Sequence, residues 1–469
     1  MKDNKAGKNS FWNFVDALEG DKVVWMITLM LILISIVAIF SSTSQLALTQ
    51  KTTRMAIVKE QLLLSVGALV LIIICYNIKQ IGFFRFFSQL GYLVSITMLL
   101  ILVVHKDIGP IKPVLLNSAW RVLQVGGIQI HVFEVVKVAM VMYLAWATSA
   151  YRNDSFTIAN KLAEKHPFWG KDLAKKVLYI YLPIFSVCLC IMKGSLSSTL
   201  FIGGIMFITI LIGGISVREL ILPGVVGIGL IFACIGINKL SPKEGSEKPF
   251  PHLETAMNRL QTHQTEADFE TLKTASTGSD EFRRAMDRLR QPVSAKIAIH
   301  QGGLFGKGPG RSTQRYVVPI MFEDYMFSFI VEEYGLLGGI LVIILYISLL
   351  ARGALIARSC DNHFAKVVIA GLVILITGQA MMHIVVNVDV GVMTGQTLPM
   401  ISHGNSSFIM FSLAFGIILS ISRMARRKIA REAAAAARAE AVSPRKDDVQ
   451  AGMDELDAME NGIPEETEE

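Results

Sequence analysis

The chain of 469 residues is 52% hydrophobic and has a mean hydropathy of +0.50, which excludes an ordinary soluble protein of this length. Its net charge of +7 does not indicate a nucleic-acid-binding protein, because the basic residues gather in short segments between apolar runs. The five cysteines have no metal-like spacing, so they predict neither disulfides nor a zinc site.

Apolar runs separated by polar breaks predict an all-α polytopic membrane protein with about ten transmembrane helices and one large outer loop. A spanning helix needs about 20 residues, so the shorter runs must extend into their flanks. The first run is long enough to remain in the membrane as an uncleaved span, and we expect no removable signal peptide. The runs are Val23–Phe40, Gln61–Cys75, Val94–Val104, Val135–Ala145, Val177–Met192, Ser198–Ile212, Leu220–Ile237, Tyr325–Leu350, Val367–Val386 and Phe408–Ile421.

The basic residues predict the orientation. They are concentrated in the loops 151–176 and 351–366 and just after the last span, which the positive-inside rule places in the cytoplasm together with the N-terminus. The predicted organisation is a cytoplasmic N-terminal segment (1–22), transmembrane helices 1–7 (23–238), a large extracytoplasmic loop (239–320), transmembrane helices 8–10 (321–424) and a cytoplasmic tail (425–469).

The outer loop and the tail carry further predictions. Apolar residues at helical spacing predict two short amphipathic helices in the loop. In the tail, the basic and alanine-rich Met424–Ala441 predicts a helix leaving the membrane, and the acidic Val442–Glu469 predicts disorder. The apolar residues of the two loop helices are Leu253, Met257, Leu260, Phe282, Met286 and Leu289.

The stretch Gln301–Gly339 combines a glycine-rich loop with an acid at the mouth of an apolar helix. The glycines permit a close approach of the backbone to a ligand, and Lys307 adds a cation suited to a phosphate. The alternative is a mobile loop with solvated bases. The pattern is not a Walker-type nucleotide loop, because Gly308 and a proline follow the lysine.

Asp324 is the best candidate for a general base. A carboxylate partly removed from water has a raised pKa, which suits proton abstraction near neutral pH. The alternative is an acid that only stabilises a helix N-terminus, as Glu323 would beside it. Glu332 and Glu333 lie deeper in the same predicted span, where we expect a cation or hydrogen bonds to compensate their charge.

Other polar residues fall in or beside predicted spans. Glu134 and Lys137 are spaced to form an ion pair, and Arg121 in the preceding outer loop can point to the same place. We expect His383 to be a hydrogen-bonded packing residue. Asp389 is a second outward-facing acid and competes with Asp324 for the catalytic role.

The segment Thr394–Ser407 is small, polar and rich in hydroxyl groups. This composition predicts a re-entrant segment that lines a wet cavity within the membrane. A plain turn followed by a helix N-cap is the alternative.

Three groups of residues in these segments resemble motifs of the SEDS family, the FtsW and RodA group of bacterial cell-wall polymerases. They form the glycine-rich loop with its upstream helix, the segment around Asp324, and the segment before the last span. Weaker agreement joins Arg121, Gly126, Glu134 and Lys137 to the same family. The matching residues of the three groups are Gln291, Ala298-Ile299, Gly302–Gly308 (GGLFGKG), Asp324–Phe327, Glu332–Gly335, Gly338, Thr394-Gly395, Leu398-Pro399, Ser402–Gly404 and Ser406-Ser407.

The chain also departs from the family pattern. The family's QPSE appears as HVFE, in which Glu134 keeps only the acid. Ser195 stands where the family has an aspartate, Ile320 where it has a glutamate, and His383 where it has an asparagine. These changes concern secondary contacts and leave the central acid in place.

The resemblance implies a peptidoglycan glycosyltransferase that polymerises lipid II at the outer face of the bacterial cytoplasmic membrane. It implies that Asp324 is the base of an inverting transfer. A class B penicillin-binding transpeptidase and other septal proteins would be its partners. The resemblance is compatible with a divalent cation, Mg²⁺ or Mn²⁺. The sequence shows no cluster of metal-ligating residues from which such a site could be inferred. The implied substrate-binding residues are Lys307, Arg121, Glu134, Lys137, Glu333, Ser402, Ser406 and Ser407.

Alternatives remain open at this stage. Ten spans with charges inside the membrane would also serve a flippase for polyprenyl-linked sugars. A scaffold that only holds the transpeptidase is a third hypothesis. The long tails and the enlarged outer loop favour a division role over an elongation role of the RodA type.

Overall fold

The computed structural model describes residues 19–43, 46–47, 51–116, 119–166, 170–240, 250, 264–277, 279–318, 321–390, 394–442, 453 and 456. The elements in chain order are α1 Lys22–Ser42, α2 Arg54–Asn77, α3 Ile81–Val104, β1 Ile111–Leu116, β2 Ala119–Val125, β3 Ile128–His131, α4 Val132–Arg152, α5 Thr157–Lys165, α6 Asp172–Met192, α7 Leu196–Ile212, α8 Val217–Leu240, α9 Gln264–Thr274, α10 Asp280–Gly302, α11 Met321–Asp324, α12 Met326–Arg358, α13 His363–Asn387 and α14 Asn405–Val442.

The prediction of a polytopic helical membrane protein is confirmed, with one small sheet added to the helices. Within the described ranges, nine helices are long and apolar enough to cross a membrane, and the shorter apolar α7 corresponds to the remaining predicted span. Predicted apolar runs that are shorter than a spanning helix are lengthened in the structure by neighbouring polar or aromatic residues. The run Val94–Val104 is the second half of α3, and Val135–Ala145 is the middle of α4.

Burial differs sharply among the spans. The most apolar window of α4 is 83% buried inside the protein and that of α14 is 72% buried, whereas that of α8 is only 11% buried. The apolar surface of α8 is thus left largely uncovered by the rest of the described chain, whereas α4, α14 and α13, whose window is 61% buried, form the interior of the bundle. Polar side chains on these interior helices can meet one another away from lipid.

Helices α1 and α12 are joined near both ends of α1. Asp21 caps α1 by accepting from the backbone N–H groups of Val23 (3.0 Å) and Val24 (3.2 Å), and it forms an ion pair with Arg352 of α12. At the other end the Ser41 hydroxyl donates to Glu333 Oε1 over 2.6 Å. The stretch of α1 between the two contacts is about 30 Å long, which is the thickness of a bilayer's apolar core.

Helix α12 is broken at Gly335, whose φ of 71° and ψ of −176° are not helical. A Cβ built at Gly339 would lie 3.2 Å from Phe327 Cζ and 2.9 Å from Val331 Cγ2. Phe327 and Gly339 would be about 18 Å apart along a straight helix. The first part of α12 therefore folds back beside the second part, which brings its N-terminus to the end of α13.

A three-stranded antiparallel sheet lies between α3 and α4, in a region for which the sequence predicts only a loop. In β2 and β3, Val122 pairs with His131 and Val125 with Ile128, around a turn at Gly126 and Gly127. Both glycines have positive φ (56° and 93°), as a tight hairpin turn of this kind requires. The Gly-Gly pair between β-branched residues was the signal for this hairpin.

The region predicted as a large outer loop contains the helices α9 and α10. The second predicted amphipathic helix is confirmed as part of α10, but its buried face is formed by Ala285 and Leu289, while Met286 is exposed. The first predicted helix, Leu253–Leu260, lies outside the described residues. The helix predicted over Met424–Ala441 is a continuation of the last span in α14. Apart from Val442, Met453 and Leu456, the acidic tail is also outside the described residues.

Candidate active site

Asp324 ends the short helix α11, and only Tyr325 separates it from the start of α12. Its carboxylate accepts no hydrogen bond from the residues that the structure describes. Burial raises its pKa to about 6, although the positive charge of Arg121 on β2 acts in the opposite direction. Burial, with the Asp324 charge adding to it, also raises the pKa of Glu323 to about 7. A carboxylate of this kind can take up a proton near neutral pH.

The backbone around Asp324 is held from the neighbouring helix α13. Asn387 Nδ2 donates to the Asp324 carbonyl over 3.0 Å, and Asn387 Oδ1 accepts from the backbone N–H of Ser328 over 2.9 Å. His383 Nε2 accepts from the backbone N–H of Phe327 over 3.3 Å. These two side chains thus satisfy first-turn N–H groups of α12, which lacks a side-chain cap of its own.

The expected hydrogen-bonded role of His383 is confirmed. Its Nδ1 lies 2.7 Å from the carbonyl of Gln396, so a neutral ring with a proton on Nδ1 satisfies both contacts. Asn387 also accepts from the Ser328 hydroxyl over 2.9 Å. The chain departs from the family pattern at His383, and the histidine makes hydrogen bonds to Phe327 and Gln396 there.

The predicted ion pair of α4 is present. Lys137 Nζ lies 2.6 Å from Glu134 Oε1, 2.8 Å from Gln379 Oε1 and 2.7 Å from Gln396 Oε1. The lysine is almost completely buried. Its positive charge is therefore neutralised by one carboxylate and solvated by two amide oxygens, and the second oxygen of Glu134 accepts no hydrogen bond within the described chain.

The segment between α13 and α14 enters the bundle, as a re-entrant segment should. The Ile401 carbonyl accepts from the hydroxyl of Ser35, near the middle of α1, over 2.8 Å. The Pro399 carbonyl accepts from the Tyr346 hydroxyl over 2.5 Å. Non-helical backbone at this depth is stable only where protein surrounds it, which is the case here.

The three serines predicted to bind substrate fix this segment in place. Ser402 Oγ donates to the Glu323 carbonyl over 2.8 Å, and Ser407 Oγ lies 2.8 Å from Thr397 Oγ1. Ser406 Oγ accepts from the backbone N–H of His131 over 3.0 Å. These contacts tie the segment to α11 and to the sheet; binding of substrate by the same hydroxyls stays a prediction.

Gly395 is the point at which the re-entrant segment meets the base. A Cβ on this residue would lie 3.7 Å from Asp324 Oδ2 and 4.0 Å from Oδ1. Its φ of +60° is one that glycine adopts without strain. The structure therefore brings together Asp324, Arg121, and, through Gln396, the pair of Glu134 and Lys137.

Lys307 and Glu333 belong to a second group of contacts, at the break of α12. Lys307 Nζ lies 2.7 Å from Glu332 Oε1, 2.5 Å from Gln301 Oε1 and 2.8 Å from Thr313 Oγ1. Glu333 Oε1 accepts from the backbone N–H of Gly310 over 3.0 Å and from Ser41. The expected compensation of the two buried glutamates is thus present. Substrate roles for Lys307 and Glu333 stay predictions.

The glycines of the loop approach α12 and not an open space. A Cβ on Gly302 would lie 2.1 Å from the Val331 carbonyl oxygen, and one on Gly306 would lie 2.2 Å from the Glu333 carbonyl oxygen. At the break itself, a Cβ on Gly335 would lie 2.2 Å from the carbonyl oxygen of Leu304. The close backbone approach predicted from these residues is therefore made to a protein helix.

The competing acid, Asp389, has a different environment. Its carboxylate forms an ion pair with Lys296 of α10, a partly exposed contact at the end of α13. Two other residues depart from the family pattern. Ser195 caps α7 by accepting a hydrogen bond from the Ser198 N–H over 3.2 Å. Ile320 lies outside the described residues.

Comparison with known proteins decides the family. The model of a family described as cell cycle protein and named for FtsW, RodA and SpoVE matches residues 21–427. The chain belongs to this family. The match runs from the start of α1 into α14 and confirms the resemblance seen in the three motifs. It does not distinguish the FtsW branch from the RodA branch.

Curated relatives of this FtsW/RodA/SpoVE-family member carry related names. The probable peptidoglycan glycosyltransferase FtsW of Bacillus subtilis is 26% identical over 77% of this chain and 79% of its own length. That of Caulobacter vibrioides is 38% identical over 28% of this chain, and the peptidoglycan glycosyltransferase MrdB of Escherichia coli is 34% identical over 28%. The chain spans about a third of the length of these last two relatives, 34% and 35%.

Solved structures confirm the fold of this family member. A chain from a study entitled "Structural coordination of polymerization and crosslinking by a peptidoglycan synthase complex" matches 87% of this chain and 98% of its own, with a TM-score of 0.58 and 18% identity. A mutant of the rod shape determining protein RodA from Thermus thermophilus, with one aspartate replaced by alanine, matches 86% of this chain and 97% of its own, with a TM-score of 0.50 and 18% identity.

Two site residues of the family member were not singled out from the sequence. Gln379 and Gln396 solvate Lys137, and a polar amide in an otherwise apolar span was the available signal for Gln379. For the divalent cation that the family leaves open, the described residues contain no group of three His, Cys, Asp or Glu side chains. Since the residues present do not form a ligand set, we derive no step through a metal.

Proposed function

We propose that this protein is a peptidoglycan glycosyltransferase that polymerises lipid II, with Asp324 as the general base. The observation that carries the proposal is the state of Asp324: its carboxylate accepts no hydrogen bond from the described residues, it is partly buried, and its pKa is raised to about 6. The names of the curated relatives support the same reaction.

In the proposed reaction Asp324 removes the proton from the 4-hydroxyl group of the acceptor sugar. The freed oxygen attacks the anomeric carbon of the donor from the face opposite its diphosphate, so the new glycosidic bond has the inverted configuration. The bond between the anomeric carbon and the diphosphate oxygen breaks as the new bond forms. The leaving group departs as a polyprenyl diphosphate, and the protonated Asp324 returns its proton to solvent.

Positive charge for the leaving diphosphate comes from Arg121 in this proposal, while Lys137, whose charge Glu134 neutralises, supports the site from behind through Gln396. Arg121 lies near enough to Asp324 to influence its pKa, and its Nε donates to the Gly194 carbonyl over 3.2 Å. A diphosphate gains charge as the glycosidic bond breaks, so cations already in place lower the barrier without reorganising. Lys307 shares its charge with Glu332 and is a secondary candidate.

The cellular setting of the proposal is the cytoplasmic membrane of a bacterium, with both termini in the cytoplasm and the loop 239–320 outside. The excess of Lys and Arg in the loops 151–176 and 351–366 supports this orientation. The proposed role is cell division, and the proposed partners are a class B penicillin-binding transpeptidase and other septal proteins. Localisation to the septum, and not to the side wall, tests the division role.

The decisive experiment mixes the purified protein with lipid II and resolves the product by gel electrophoresis. We expect glycan polymer from the wild type and none from Asp324→Ala. Asp389→Asn is the matched control, because it removes a second outward-facing carboxylate that is already paired with Lys296. Polymer made by Asp324→Ala would refute the assignment of the base, and loss of polymer only in Asp389→Asn would transfer the role to that residue.

A flippase for polyprenyl-linked sugars is the second candidate, supported by the buried charges of Glu134 and Lys137 within a span. Asn387, which donates to the Asp324 carbonyl, is the last residue of α13, so Asp324 lies at the end of a span and not in its middle. This favours the enzyme, because a carrier needs its main charge near the middle of the membrane. Transfer of labelled lipid II across a vesicle bilayer without polymer would support the flippase. An inactive wild type in both assays would support a scaffold.

A further inference from the structure

The tip of the glycine-rich loop, Leu304 and Phe305, has no part in the proposed reaction, yet it is held firmly. The backbone N–H of Leu336 donates to the Gly303 carbonyl over 2.9 Å, and that of Leu337 donates to the Leu304 carbonyl over 3.3 Å. From the other side, Lys307 N–H donates to the Glu332 carbonyl over 2.9 Å. The loop is thus inserted into the break of α12, and its tip has a fixed position.

The fixed tip exposes two large apolar side chains. Phe305 is 76% exposed and Leu304 is 51% exposed. A mobile loop can fold such side chains away, but a loop bonded on both sides to α12 cannot. Exposed apolar side chains that a rigid backbone keeps in place indicate a surface that something else covers.

The apolar surface of the tip continues into the lipid-facing side of α12. Leu336 is 49% exposed and Leu337 is 50% exposed, and both donate to the loop through their backbone N–H groups. They begin the second part of α12, which crosses the membrane and exposes Ile340 and Ile344 farther along. The residues of α12 before the break, Met326 to Glu333, are buried in the protein.

The contact between Ser41 and Glu333 fixes the level of the tip. It lies at the end of α1, about 30 Å from the ion pair that Asp21 forms at the other end, and so at the edge of the apolar core. Tyr316, 46% exposed, lies 3.5 Å through its hydroxyl from Arg54 Nη2 at the start of α2. Aromatic and basic side chains at such a level are typical of a membrane interface.

We infer that Leu304 and Phe305 are an interfacial anchor that enters the outer edge of the bilayer. The loop is then a rigid bridge: its glycines bind the break of α12, its polar residues engage Glu332 and Glu333, and its tip contacts lipid. The anchor fixes the level of the broken helix in the membrane, and Asp324 lies at the start of that helix. This inference does not depend on the proposed reaction.

Fluorescence in lipid nanodiscs tests the anchor. The full-length Phe305→Trp variant is placed in nanodiscs whose phospholipid chains carry bromine near the headgroup, and the emission of the native tryptophans is subtracted with the wild-type protein. We expect bromine to remove most of the added emission and aqueous iodide to remove little. The control is Phe269→Trp, an exposed aromatic residue of α9, for which we expect the opposite pattern.

The quenching pattern either supports the lipid anchor or overturns it. If iodide and not the brominated chains quenches the added emission of the Phe305→Trp variant, the tip is in water and the inference is overturned. Protection from both quenchers would show that protein covers the tip, which also overturns it. The Leu304→Trp variant gives an independent measurement at the adjacent residue, and we expect it to respond as Phe305→Trp does.

Discussion

The side-chain amide of Asn387 donates to the main-chain carbonyl of Asp324 over 3.0 Å, while its oxygen accepts from Ser328 on the following turn over 2.9 Å. One side chain of α13 therefore holds both sides of the bend that presents the proposed base. A base must stay within hydrogen-bond reach of the proton it removes, so this contact has a direct consequence for rate.

We expect Asn387→Leu to lower kcat and to leave KM for lipid II nearly unchanged. Without the Asn387 contacts the Asp324 carboxylate is less accurately positioned, and a misplacement of about 1 Å can lower the rate by about a hundredfold. Steady-state polymerisation kinetics measure the effect. Ser328→Ala is the control, because it removes only the hydroxyl contact and should lose less. Wild-type kcat in Asn387→Leu would contradict the positioning role.

The raised pKa of Asp324 predicts the pH dependence of polymerisation. The carboxylate must be ionised to act as a base, so the rate should rise with pH through a value near 6 and fall below it. The Arg121 charge lowers the pKa of Asp324, so Arg121→Gln should move the midpoint to higher pH. Lys296→Gln, which removes the partner of Asp389, should leave the midpoint where it is. An unshifted midpoint in Arg121→Gln would count against the proximity of the two charges.

The sequence predicts the spans well and the contacts between them poorly, for a physical reason. Apolar composition alone decides whether a segment such as α1 crosses a bilayer, and this is a local property. The pairing of Lys307 with Glu332 depends on a break at Gly335 that turns the loop and the helix toward each other. The contact of Glu333 with Ser41 depends on how distant helices pack.

The candidate site shows the same division. The sequence identifies Asp324 because an ionised acid at the start of an apolar membrane helix costs free energy and so indicates a function. It also predicts the Glu134–Lys137 pair, since residues three positions apart lie on the same face of a helix. The hydrogen bonds of Gln396 to Lys137 and of Asn387 to Asp324 could not be found, because they join segments whose proximity arises from the fold of the whole bundle. The pair Gly126-Gly127 is a signal of the β2–β3 turn in the sequence, but only a loop was predicted there.

The buried pair of Lys137 and Glu134 predicts a strong effect on stability. Removing one member, as in Lys137→Met, leaves the other charge buried without a counter-ion, which typically costs about 3–5 kcal/mol. We expect a large fall in the Tm of the detergent-solubilised protein. The double variant Glu134→Gln with Lys137→Met carries no buried charge at this position and should recover part of the loss. A double variant as unstable as the single one would show that the pair contributes little through its charge.

The insertion of the loop into α12 predicts a difference between two glycines of similar backbone geometry. Gly306 has a φ of 79° and Gly310 a φ of 76°, so alanine at either position carries a similar strain of about 1–2 kcal/mol. At Gly306 the new Cβ would also lie 2.2 Å from the Glu333 carbonyl oxygen, whereas nothing lies within 4 Å at Gly310. Gly306→Ala should therefore lose about 1–3 kcal/mol more than Gly310→Ala, as overpacking does. Thermal unfolding of both variants measures the difference, and equal Tm values would mean that the loop can leave the break of α12 without loss.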